Sequence, residues 1–137
     1  MTDSYKSTLS LIGRILLALM FITSGFGKLA DLQGTAAYVA SGGLPFPIAL
    51  ALLAGLLELF GGIALVIGFR VKLAGILLGL FTLVASVAFH AYWAAPADQQ
   101  FVTQLLFMKN LSVAGGLFLI SALGAGSLSL DAARLKR

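Results

Sequence analysis

Between Pro45 and Gly68 the chain reads PFPIALALLAGLLELFGGIALVIG, an apolar run opened by two prolines and broken by one ionisable side chain, Glu58. A stretch of this kind meets the requirement of about 20 apolar residues for a helix to cross a hydrocarbon core about 30 Å thick. Proline suits a helix's first turn, where its missing N–H would be unpaired anyway. A strand is excluded, because lipid offers no partner for an open sheet edge. Outward from this run, given bounds of about 46–68, three more have the same character: about 9–27 with Arg14 inside it, about 73–92, and about 101–123 with Lys109 and Asn110 inside it. Arg14 and the lack of an A-x-A-like cleavage site argue against reading the first run as a signal peptide.

Composition agrees: the 137 residues are 60% hydrophobic and only 10% charged, against about 25% charged in a soluble domain. The expectation is an all-α, integral-membrane four-helix bundle, one membrane domain over 1–137 in contact with the lipid bilayer. The absence of cysteine excludes disulfides, thiol exchange on this chain and thiolate metal sites.

Basic residues set an expected orientation. Lys6, Arg70, Lys72, Arg134, Lys136 and Arg137 flank one end of the spans and Lys28 alone the other, which by the positive-inside rule places both termini in the cytoplasm. The net charge of +4 then reflects topology, and the scatter of these residues provides no phosphate track for nucleic acid. In the first outer loop, Thr35 to Ala40 followed by Gly42-Gly43 reads as a short capped helix, a lid or a connection. Tyr38, Tyr92 and Trp93 suit the interfacial belt.

Ionisable groups inside a span are costly, about 2.5 to 3.5 kcal/mol at a helix centre, and mark functional candidates. At about 1.5 Å of rise per residue, Glu58 lies roughly 18 Å, Lys109 roughly 12 Å and Arg14 roughly 21 Å below the outer boundary. This reads as an acid between two bases, with Arg14 the better fork-shaped partner for the carboxylate. The same groups fit a polar pocket for a carbonyl or hydroxyl ligand, or a proton path. His90 closes the third span near the level of Lys28, as an interfacial histidine or a proton donor and acceptor. With one histidine and no His–carboxylate cluster, no metal site is expected.

Sixteen glycines fit close helix packing, since lipid supplies no hydrophobic drive between helices and small residues let backbones approach. Gly75 and Gly79 form a G-x-x-x-G pair, and Gly61-Gly62 and Gly115-Gly116 sit at comparable places on their helices. Together with Ile15–Leu19 against Ile76–Leu80, these pairs suggest a weak repeat of two hairpins.

Gly13-Arg14-Ile15-Leu16-Leu17-Ala18-Leu19, Ser24-Gly25-Phe26-Gly27-Lys28-Leu29, Glu58-Leu59-Phe60-Gly61-Gly62, Phe89-His90 and Phe107-Met108-Lys109-Asn110-Leu111 with Gly115-Gly116 together resemble the DoxX family of small bacterial inner-membrane proteins. The resemblance implies a multi-pass protein of the bacterial inner (plasma) membrane, related to the membrane subunit of a thiosulfate:quinone oxidoreductase. It also implies pocket positions at Arg14, Lys28, Glu58, His90, Lys109 and Asn110. The expected function is that of a quinone- or small-ligand-binding accessory subunit, with quinone as candidate cofactor and an oxidoreductase subunit or a second copy of the chain as candidate partner. Any enzymatic role is non-autonomous. The rival expectations are an oligomeric solute or proton-coupled transporter and a non-catalytic scaffold.

Overall fold

Helix α1, Asp3–Ala30, starts well before the apolar run because Asp3 complements the positive end of the helix dipole and because the Ser7 and Thr8 hydroxyls return to the carbonyls of Asp3 and Ser4, both at 2.9 Å. The computed structural model describes residues 3–136; Arg137, counted above among the basic residues, lies outside them. Past the expected bound of about 27, Gly27 to Ala30 form the last turn of α1, and the Asp31 N–H still reaches the Gly27 carbonyl at 3.1 Å. At 28 residues α1 is about 42 Å long, so it tilts or enters the headgroup layer.

Helix α2, Leu32–Ser41, begins ahead of the expected Thr35 because the Asp31 side chain caps it, accepting from the Gly34 N–H at 2.9 Å. Helix α3 spans Pro47–Ile67, entered through Phe46 in the left-handed region with Pro47 at its start. Gly68, at φ 73°, ends it, and the chain turns within Gly68, Phe69 and Arg70 into α4, Val71–Phe89. Arg70 is itself left-handed, at φ 44°, a conformation rare outside glycine. The Asp131 carboxylate holds it, accepting from the N–H groups of Arg70 at 2.7 Å and Val71 at 3.0 Å. A 3-10 turn, Tyr92–Ala94, leads to α5, Gln100–Leu123, and a short α6, Leu130–Leu135, follows. There is no strand among the described residues, and α1, α3, α4 and α5 are each long and apolar enough to cross a membrane.

The spanning helices associate as two close pairs, α1 with α3 and α4 with α5. The first pair runs nearly backbone to backbone: a Cβ on Gly25 would strike the backbone nitrogen of Leu59 and lie 2.8 Å from the Gly55 carbonyl oxygen. In the second pair a Cβ on Gly75 would lie 2.8 Å from the Leu117 carbonyl oxygen, and Gly79 faces the Phe118 ring. Gly115 departs from the packing expectation, since a Cβ there would meet nothing within 4 Å, so it and Gly61, which faces Leu78, are not equivalent. The pairs join through a core of Ala18, Phe21, Leu65, Val71, Leu78 and Leu117, set toward the end that carries the α3–α4 turn. Leucines and valines such as Leu16, Val84 and Leu119 cover the outside, as expected for a surface whose solvent is lipid.

The segment after Gly124 is more than a basic tail. It folds back across the α3–α4 turn: Ser10 donates to the Ala125 carbonyl at 3.0 Å, Ser7 and Ser127 share a hydroxyl contact, and the Asp131 N–H donates to the Gly68 carbonyl at 2.9 Å.

Candidate functional site

Ser24 and Lys28 lie four residues apart on α1 and therefore share one face of that helix. Across from them α3 presents Glu58, whose side chain is 8% exposed. Lys28 Nζ lies 2.8 Å from Glu58 Oε2 and donates to Ser24 Oγ at 2.6 Å, while Ser24 Oγ donates to Glu58 Oε2 at 2.9 Å. The closed triangle neutralises the carboxylate and satisfies one oxygen.

Arg14 is not the partner of Glu58. It is fully buried on the same α1 but further toward the turn end, where Nη1 donates to the carbonyls of Leu65 at 2.9 Å and Val66 at 3.0 Å and Nη2 donates to that of Leu128. The guanidinium thus closes the C-terminal end of α3, where the last carbonyls lack intrahelical donors. The helices run antiparallel, so residues toward the end of α1 meet the middle of α3 and residues toward its start meet the end of α3. Depth counted separately along each apolar run missed this register because α1 extends beyond its run at both ends.

On the α2 side of the core, between the α1–α3 pair and the α4–α5 pair, lies a cavity of about 430 Å³. Lys28, Glu58, His90, Lys109 and Asn110 all line it, together with Ser24 and Thr82, whereas Arg14 does not. They come from four elements: Ser24 and Lys28 from α1, Glu58 from α3, Thr82 and His90 from α4 and its end, and Lys109 and Asn110 from α5. His90 follows the end of α4, where its N–H caps the helix on the Ser86 carbonyl at 2.9 Å. Asn110 is a buried residue on α5, and Lys109 beside it is exposed. Among the described residues the one ion pair is Lys28–Glu58, so the Lys109 ammonium is a surplus positive charge at the cavity. The remaining walls are apolar, with Phe21 from α1, Leu57 from α3 and Phe81 from α4.

Helix α2 roofs this space with Thr35, Tyr38 and Val39. Tyr38 is more than an interfacial ring: it stacks on Phe89 at 4.9 Å between centroids, tying the roof to the end of α4. Tyr92 and Trp93 pack edge to face on Phe107 of α5 at 5.5 and 5.4 Å. Ser24 and Thr82 are not among the pocket positions expected from sequence. Ser24 could have been found from its spacing to Lys28, whereas Thr82 has no local signal and is placed by the α4–α5 packing. Among the described residues no cluster of His, Cys, Asp and Glu could hold a metal ion.

The sequence model of the DoxX family matches residues 9–91, a range that includes Lys28, Glu58 and His90 and stops short of Lys109. The chain is 36% identical over 126 residues to inner membrane protein YphA of Escherichia coli (strain K12), covering 92% of this chain and 90% of that one. It is 37% identical over 122 residues to inner membrane protein YqjF of the same organism, covering 88% of each. It is also 31% identical to ER-derived vesicles protein ERV29 of Saccharomyces cerevisiae, over 94% of this chain but 34% of that protein. No solved structure matches.

Proposed function

This chain belongs to the DoxX family and is a multi-pass inner-membrane protein, and on that premise we propose that it binds a quinone-like ligand as an accessory subunit of a membrane oxidoreductase. The observation that carries the reading is the cavity: apolar walls for a ring, and in its lining a lysine with no carboxylate partner among the described residues, beside a buried asparagine. Its volume of about 430 Å³ falls within the range of about 300 to 1,000 Å³ usual for small-molecule sites. Ammonium and amide donors suit a carbonyl oxygen, and such bonds gain strength where the surroundings have a low dielectric. A quinone bound there supplies redox chemistry that these side chains lack.

Lys109 anchors the ligand oxygen in this reading, with the Asn110 amide beside it. The Lys28–Glu58–Ser24 triangle is the source or acceptor of a proton, and His90, within reach of the Lys109 charge, lines the same cavity. In keeping with the distribution of basic residues, the cavity's roofed end faces away from the cytoplasm. The test is direct titration of the purified full chain with a ubiquinone or menaquinone analogue. Lys109→Ala and Glu58→Gln are each expected to weaken binding at least ten-fold, and wild-type affinity in both variants removes the pocket from the account.

A further inference from the structure

Two of the residues that line the cavity are also among the more exposed side chains of the molecule. Leu53 on α3 is 62% exposed and Val84 on α4 is 69% exposed, yet both border the internal space. They stand on adjacent helices that touch at Gly61 and Leu78 near their connecting turn. Ala54 and Leu57 of α3 and Phe81 and Ala85 of α4 also line the cavity. Toward water the space is roofed by α2, pinned by the Tyr38–Phe89 stack. Leu53 and Val84 mark a gap in the cavity wall on the apolar outside of the bundle, a surface whose solvent is lipid.

We propose that this gap is a lateral portal, through which the site takes a tailed amphiphile directly from the bilayer and the tail stays outside between α3 and α4. The proposal rests on the ligand-binding reading above. The volume of about 430 Å³ is near the small end of ligand sites and accommodates a head and the first part of a tail. A longer tail has to leave, and the lips it meets are aliphatic. Because every methylene favours the bilayer over water, a lateral route leaves the tail in the phase it already occupies. The head is oxygen-bearing, since Glu58 neutralises Lys28 and the surplus cation is Lys109.

The test uses the full chain in nanodiscs and two probes with the ubiquinone head, one without a tail and one with a ten-carbon tail. Leu53→Trp and Val84→Trp, which crowd the lips, are expected to weaken binding of the tailed probe at least ten-fold more than binding of the tailless probe. Leu119→Trp, at an exposed α5 position away from the cavity, should change neither. Leu53→Ala with Val84→Ala widens the gap without added bulk and is expected to speed association of the tailed probe alone. Equal effects on the two probes, or none, overturn the portal while leaving the ligand-binding reading in place. If the wild-type chain binds neither probe, that reading fails and the portal with it.

Discussion

Glu58 and Arg14 show how differently two intramembrane charges can be satisfied. Removing one partner of a buried pair leaves an uncompensated charge, whereas replacing both with apolar groups is often close to neutral. Lys28→Met is therefore expected to lower unfolding stability by about 2 to 3 kcal/mol, below the usual 3 to 5 for a fully buried pair because the Lys28 side chain keeps 29% exposure. Lys28→Met with Glu58→Leu should recover more than half of that loss, measured by denaturant unfolding in detergent. The candidate residues were legible one at a time, because an ionisable group within an apolar run stands out. Their partners were not. Whether Glu58 meets Arg14 or Lys28 depends on how α1 is set against α3, and that offset is fixed by contacts such as Gly25 on Leu59 that have no signature in either helix alone.

Glycines show the same limit at the scale of an element. Gly25 and Gly115 are both small residues in apolar helices by sequence, yet Gly25 lies against backbone and Gly115 against open space. Gly25→Ala should push α1 off α3, at a cost of about 1 to 3 kcal/mol typical of overpacking. Gly115→Ala should be neutral or stabilising by up to about 1 kcal/mol, the helix-propensity difference. Thermal unfolding of the two variants side by side checks the contrast. Helix existence was legible from apolar runs, while helix ends were not, because they depend on partners: Asp31 starts α2 early, and the Lys28 triangle keeps the last turn of α1 helical.

Across the whole molecule, four crossings place the start of α1 and the end of α5 on the same side, together with the α3–α4 turn and its Arg70 and Lys72. The expected cytoplasmic location of that side is open to a clean measurement, because the chain has no cysteine of its own. Gln99→Cys in the loop before α5 should react with an impermeant maleimide on intact spheroplasts. Lys136→Cys should react only after permeabilisation, and the reverse pattern would invert the orientation. The bundle was legible from composition and run lengths. The cavity was not, since it arises where two tightly packed pairs fail to close on each other, a property of four helices at once.

The Arg14 contact with Leu128 joins residues 114 positions apart. During synthesis the arginine enters the membrane long before that carbonyl has been made, so the first helix carries an incompletely satisfied charge while the other spans are inserted. Final seating of the Arg14 guanidinium then waits for the returning segment, which makes closure of this end of the bundle a late event.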